Sequence, residues 1–171
     1  MGKVILILGS MYAEKTTELI KKITRAEIGG KKTIILKPDI DTRYSTTELI
    51  THSGIKRKCE SYDNISDDIL KHVDIIGIDE GQFANNLRSF IDKWNMKDII
   101  ISGLNGTFER NIFPEIANVI GYATDIIYLK AMCKCGKSAS YSKKLHDMQR
   151  DDTYPNIGGF EDYEAVCHLC Y

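Results

Sequence analysis

The sequence predicts an α/β fold, a parallel sheet with helices, followed by a small unit rich in cysteine. Three observations carry that expectation. Short apolar runs alternate with helical patterns between residues 4 and 129, as consecutive βαβ units do. The first run leads through a tight loop into Lys15-Thr16 and a helix. Four of the five cysteines fall in the tail after Lys130, as two close pairs.

Val4–Leu8 is an almost unbroken apolar run, which suits a strand buried on both faces. Behind it stand Gly9, Ser10, Met11, Tyr12, Ala13, Glu14, Lys15, Thr16 and Thr17. Strand, tight loop, Lys-Thr and helix, in that order, present backbone N–H groups and one ammonium to a polyphosphate. Gly9, Lys15 and Thr16 keep their places in the pattern G-x-x-x-x-G-K-[ST], but Glu14 stands at the second glycine. That glycine allows close backbone approach with dihedrals a side chain disfavours. A carboxylate there also adds negative charge where phosphates meet a helix N-terminus. Without a ligand, the same stretch is an ordinary strand–turn–helix with Lys15 on the surface.

The next elements follow in order. Leu19, Ile23 and Ala26 share a helix face, and Gly29-Gly30 end that helix. Thr33–Leu36 is a second buried strand. Residues 38–54 are polar, carry Asp39, Asp41, Arg43, Tyr44 and His52, and are expected as a mobile excursion near the carboxyl ends of the strands, where ligands of such sheets bind. Ile55–Cys59 is a short strand and Ser66–His72 a helix. Asp74–Gln82 reads D-I-I-G-I-D-E-G-Q, an apolar strand ending in two carboxylates, Asp79 and Glu80. A strand-end acid beside a phosphate loop is the usual place to hold Mg²⁺. Ala84–Trp94 is a helix with Leu87, Phe90, Ile91 and Trp94 on its core face. Asp98–Ser102 is a strand followed by a tight Asn/Gly turn, Pro114–Ile120 a short helix, and Asp125–Leu129 a last buried strand. That makes at least five parallel strands. A boundary near Lys130 divides a nucleotide-binding unit, 1–130, from a zinc-binding unit, 131–171.

With 43% hydrophobic and 27% charged residues over 171 positions, the chain has material for one sizeable core and a small appended unit. A formal net charge of −1 argues against a dedicated nucleic-acid binder. The tail's basic residues are matched by acidic ones, which disfavours a zinc-ribbon nucleic-acid module. No apolar run is long enough to cross a membrane, and Val4–Leu8 is too short and too soon interrupted for a signal peptide. Close cysteine pairs without an export signal read as metal ligands before disulfides, and a cytoplasmic location is expected. Cys167-His168-Leu169-Cys170 is C-x-x-C, and Cys133-Lys134-Cys135 is one residue tighter. Four thiolates on a structural Zn²⁺ would order a tail that has little apolar content of its own. His146 and His168 are substitutes if the tight pair cannot both reach the metal. Ser142–Thr153 is expected as a flexible polar loop between the pairs.

The segments G-S-M-Y-A-E-K-T-T-E-L-I, D-T-R-Y, G-I-D-E-G-Q-F, G-L-N-G-T-F-E-R-N-I-F and C-K-C…I-G-G-F-E-D-Y-E-A-V-C-H-L-C-Y occur in that order from near the N-terminus to Tyr171. Together they resemble the thymidine kinases of the cytosolic, poxviral and bacterial type. The resemblance implies a RecA-like P-loop sheet with helices on both faces and a small zinc-bearing lasso domain. It implies transfer of the ATP γ-phosphoryl group to the 5′-hydroxyl of thymidine or deoxyuridine with Mg²⁺. It also implies a homotetramer with thymidine triphosphate as feedback inhibitor. Residue by residue, Lys15 matches the phosphate-loop lysine, Thr16 and Asp79 match the Mg²⁺ side, and Glu80 matches the general base. Arg43 matches the arginine that reaches the reacting phosphates, and the loop Gly9–Thr17 with Gln82 falls on the nucleotide side. Phe83, Leu104, Thr107, Phe108 and Phe113 match residues around the base. Ile157, Gly158, Gly159 and Tyr163 match the lasso.

Four positions depart from that family's pattern. Ser10 stands where proline is common, Asn105 where an acid is usual, and Cys133-x-Cys135 is shorter than C-x-x-C. Glu14 is the fourth. Its carboxylate has three options: to meet the β-phosphate, to turn to solvent, or to pair with Lys15. Beside a kinase, the residues leave room for a P-loop hydrolase whose acceptor is water. They also leave room for a nucleotide or nucleoside-binding homologue disabled by Glu14.

Overall fold

An apolar run sets β1 (Val4–Gly9), and a loop carries it into α1 (Lys15–Ile28). Next comes β2 (Thr33–Lys37). β3 (Glu48–Ile50) and β4 (Lys56–Lys58) form an antiparallel hairpin of their own, and β5 (Glu60–Ser61) returns to pair with β2. α2 (Asp67–Lys71) starts at Ser66, whose side chain accepts the Asp68 N–H, a standard N-cap. β6 (Ile75–Ile78) leads through a 3₁₀ turn at Gly81–Phe83 into α3 (Leu87–Lys93). β7 (Asp98–Leu104), α4 (Pro114–Val119) and β8 (Asp125–Leu129) complete the main unit. The tail carries β9 (Ala131–Met132), β10 (Ser138–Ala139), β11 (Tyr141–Lys144) and β12 (Tyr163–Val166). This computed structural model describes residues 1–40, 48–51, 54–145, 158 and 161–171.

The main sheet has six strands in the order β5-β2-β6-β7-β1-β8, and every pairing in it is parallel. Its strands read as apolar runs because both faces are covered. Leu6, Leu8, Ile76, Ile78, Ile99 and Ile101 point to the side of α3 and α4, where Leu87, Ile91, Ile116 and Val119 meet them. Ile7, Ile35 and Ile100 point the other way, onto Leu19, Ile20 and Ile23 of α1. The period of two along each strand therefore fills two cores at once. β1 lies between β7 and β8, so its end delivers the loop at Gly9 to the carboxyl edge of the sheet. A Cβ on Gly9 would fall 2.4 Å from the Leu129 carbonyl oxygen, so this exit requires glycine.

Several expectations need correction. Asp125–Leu129 is not a buried strand: as the sheet's edge, it turns Ile127 and Leu129 toward the α1 side and leaves Ile126 and Tyr128 about half exposed. α3 begins at Leu87 rather than Ala84, because Gly81–Phe83 forms a 3₁₀ turn and Asn86 takes a left-handed conformation at φ 56°. Trp94 does pack against the main core as expected, partly buried, with the ammoniums of Lys93 and Lys97 over its ring at 5.6 and 5.8 Å. Tyr141–Lys144 is not loop but strand, paired antiparallel with β12, while residues 146–153 of the expected loop lie outside the described residues. Among the described residues no helix is long and apolar enough to cross a membrane.

The tail has a core of its own, made of Ala131, Cys133, Ala139, Ala165, Val166 and Cys167. Ala13, from the loop after β1, is buried in that same cluster. The main unit thus meets the tail through the loop itself.

Candidate active site and cysteine cluster

The loop after β1 folds through two left-handed residues, Tyr12 at φ 63° and Glu14 at φ 59°. Neither is glycine, and each such residue costs of order 1–3 kcal/mol that the surroundings must offset. Glu14 keeps the backbone a glycine would supply and turns an exposed side chain to solvent. Its carbonyl accepts the Glu18 N–H at 3.0 Å, the first intrahelical bond of α1. The N–H groups of Lys15, Thr16 and Thr17 precede that bond, so the helix start offers donors to an anion. Lys15 Nζ reaches back to the Ser10 carbonyl at 2.7 Å.

Facing this helix start is the end of β6. Thr16 Oγ1 donates to the Asp79 carboxylate at 3.1 Å, and Ser102 Oγ donates to it from the end of β7. Asp79 is buried, and that burial, with the neighbouring Glu80 charge, pushes its carboxyl up to about 6 against the pull of Ser102, Thr16 and Lys15. Glu80 leaves the strand in a left-handed conformation, φ 51°. Gln82 Nε2 donates to Glu80 Oε2, and Gln82 Oε1 accepts the Leu104 N–H at 3.0 Å. Gln82 thus stands between Glu80 and the end of β7. Ser102 was not among the expected site residues; the one hydroxyl in D-I-I-I-S was its only trace in the sequence.

The expected base-side residues form two aromatic pairs. Phe83 meets Phe113 edge-on at 5.9 Å, with Phe113 buried in the main core. Phe108 lies 6.3 Å from Tyr163 of β12, and Lys144 Nζ sits 5.2 Å over the Phe108 ring. Thr107 closes its own turn, its Oγ1 accepting the N–H groups of Glu109 and Asn111. Gly158 lies close against Asp162 and Tyr163. Arg43, Ile157 and Gly159, like His146, lie outside the described residues.

The cysteine pairs come together. Cys133 and Cys135 sit in the β9–β10 hairpin turn, which Gly136 closes at φ 83°. Cys167 and Cys170 follow β12, with the Cys170 N–H on the Cys167 carbonyl at 3.1 Å. All four Sγ atoms lie within 4.8 Å of one another, and those of Cys135 and Cys167 are 3.6 Å apart. Thiolates on a tetrahedral Zn²⁺ at about 2.3 Å stand roughly 3.8 Å apart, so the donor set fits that ion. The tight C-x-C spacing does not keep Cys135 out. Backbone N–H groups of Cys135 and Cys167 draw the Cys133 thiol down to about 6, toward the thiolate a metal needs. His168 is exposed and outside the cluster.

A parallel α/β sheet with Lys-Thr at a helix start, two acids at the end of β6 and two aromatic pairs, beside a four-cysteine cluster, is the arrangement of a nucleotide-handling enzyme. The family model for thymidine kinase matches residues 2–171. The chain is 40% identical to the thymidine kinase of Amsacta moorei entomopoxvirus, with 97% of this chain and 96% of that protein covered. It is 35% identical to the thymidine kinase of vaccinia virus strain Ankara, covering 99% and 97% of the two. It is 33% identical to the cytosolic thymidine kinase of Gallus gallus, covering 99% of this chain and 77% of that protein. The chain belongs to the thymidine kinase family and is an enzyme of that kind.

The raised Asp79 carboxyl fixes a pH dependence. Its folded pKa of about 6 exceeds the ordinary 3.8, so the folded state holds the proton more firmly. The contribution of this group to stability is complete below the ordinary value and is lost as pH rises to about 6. Without magnesium or nucleotide, Asp79→Asn is therefore expected to melt higher than the parent at pH 8 and no higher at pH 4. Thermal melts at both values check this; a lower melting temperature at pH 8 would contradict it.

Proposed function

We propose that the chain transfers the γ-phosphoryl group of ATP to the 5′-hydroxyl of thymidine or deoxyuridine. The observation that carries this reading is the junction of Thr16 with Asp79 at the helix start, while Glu80, one residue on, is bonded to Gln82. One carboxylate accepts from Thr16 at the helix start and the other from Gln82, which itself accepts the Leu104 N–H. At the end of the loop Gly9–Thr17, the N–H groups of Lys15, Thr16 and Thr17 hold the ATP phosphates, and Lys15 turns from Ser10 to the phosphate oxygens. The acceptor oxygen bonds to the γ-phosphorus as the bond to the β–γ bridging oxygen breaks, and ADP leaves. Glu80 takes the hydroxyl proton late in that transfer, when a carboxylate suffices as base. Arg43 and Lys15 stabilise the charge that gathers on the transferring oxygens. Thr16 and Asp79 would hold Mg²⁺ at the helix start, where the ion would supply charge neutralisation for the phosphates.

On the acceptor side, Phe83, Phe108 and Tyr163, with Leu104, Thr107 and Phe113, bind the pyrimidine, together with Ile157, Gly158 and Gly159. Residues 1–130 form the nucleotide unit and residues 131–171 the lasso unit, held by structural Zn²⁺ on the four cysteines. We place the protein in the cytoplasm as a homotetramer inhibited by thymidine triphosphate, on the strength of the family alone.

The test follows nucleoside monophosphate and ADP together, with Mg-ATP and thymidine, deoxycytidine or no nucleoside. Thymidine-dependent ADP release matched by thymidine monophosphate is expected. ADP release without nucleoside would mean a hydrolase instead. Glu80→Gln should lower turnover by about 10²-fold or more while ATP still binds; unchanged turnover removes Glu80 from its role.

A second reading, a homologue weakened in ATP binding, draws on Glu14 at the start of α1. Glu14→Gly is expected to tighten ATP by roughly 1–3 kcal/mol, the scale of a carboxylate removed from beside the phosphates. Titration of both proteins decides it, and equal affinities would reject it. Zinc analysis completes the set. Cys167→Ser should lose the metal and His146→Ala should keep it, and the reverse would defeat the four-thiolate assignment.

A further inference from the structure

Three consecutive residues of the loop after β1 are bonded to the tail. Ser10 Oγ donates to the Ala139 carbonyl at 3.1 Å, Met11 N–H to Ser142 Oγ at 3.0 Å, and Tyr12 OH to the Tyr163 carbonyl at 3.1 Å. Ser10 and Ser142 are both buried, and Ala13 completes the seam by packing into the tail's core. Nearby, Asn105 Nδ2 donates to the Ser140 carbonyl at 3.3 Å.

The middle bond differs from its neighbours. The Ser10 and Tyr12 bonds hold side chains, whereas the Met11 bond holds the main chain itself. It does so between the glycine that exits β1 and the first left-handed residue of the loop. Removing its acceptor would leave a buried N–H without a partner. The acceptor is well fixed: Ser142 sits within β11, opposite Ala165 of β12, and β12 runs directly into Cys167. A serine hydroxyl on a strand rooted at the cysteine cluster therefore determines where the Met11 amide lies.

We propose that Ser142 is a positioning residue for the phosphate-binding loop. By accepting the Met11 N–H it sets the left-handed path through Tyr12 and Glu14, and that path aims Lys15 and the first turn of α1 at the ATP phosphates. The proposal rests on the reading of this loop as the ATP site. Ser142 acts on ATP through the loop and does not touch the nucleoside, so its loss separates the two substrates.

The experiment uses the intact, zinc-replete protein. ATP is titrated calorimetrically without nucleoside, and KM is measured for ATP and for thymidine, in the parent, Ser142→Ala and Ser142→Thr. Ser142→Ala is expected to weaken ATP binding and raise the ATP KM by about tenfold or more, the usual effect of a loop displaced from its productive geometry. The thymidine KM and the zinc content should stay at the parent's values. Ser142→Thr, which keeps the hydroxyl, should restore ATP binding. Unchanged ATP affinity in a folded Ser142→Ala protein overturns the proposal, as does an equal rise in both KM values, which would mean general loosening. Should the alanine variant not accumulate folded, Ser142→Cys keeps the volume with a sulfur that accepts poorly, and unchanged ATP affinity there overturns the proposal equally. A parent protein that binds no ATP overturns the underlying reading and this proposal with it.

Discussion

The site depends on holding a short loop in a shape its own residues resist. Tyr12 and Glu14 both sit in the left-handed region, where a side chain is unfavourable, and the loop turns directly from a buried strand into a helix. The compensation comes from outside the loop. The tail supplies an acceptor to Ser10, to the Met11 amide and to the Tyr12 hydroxyl, and it buries Ala13. Several such bonds, each worth about 1 kcal/mol net, match the strain of two left-handed residues in scale.

That arrangement gives a physical meaning to two of the family departures. A proline at position 10 would have no hydroxyl to give to Ala139, and an aspartate at 105 could not donate to the Ser140 carbonyl when ionised. In this chain both substituted residues join the main unit to the tail. Glu14 keeps the glycine's dihedrals and leaves its charge in solvent, so without nucleotide the loop bears the conformational cost more than an electrostatic one.

Much of the sheet was legible because buried parallel strands leave continuous apolar runs, and β1, β2, β6 and β7 lie close to where those runs fall. The edge strand β8 misled: D-I-I-Y-L reads as buried, yet edge position is a property of topology, which a local run does not encode. Strand β11 was hidden for the opposite reason, since Y-S-K-K is polar and pairs only because β12 brings an apolar partner from far along the chain. In the candidate site, Lys15, Thr16, Asp79 and Glu80 were expected from their spacing, and the fold brings Thr16 onto Asp79. Ser102 and Ser142 did not, because a buried serine has no pattern around it; only the fold says what its hydroxyl faces. The cysteine cluster was legible as a set, but the fit of the tight C-x-C pair needed the β9–β10 turn to be seen.

If the tail holds the loop after β1 in its left-handed path, losing the tail's order should free the loop. Amide hydrogen exchange across residues 10–14, in the metal-loaded protein and again after the metal is chelated, tests it most directly. The Met11 amide should be protected in the loaded protein and opened by chelation, while the β1–β7 ladder keeps its protection. A Met11 amide that exchanges freely in the loaded protein, or one that stays protected after chelation, would contradict it.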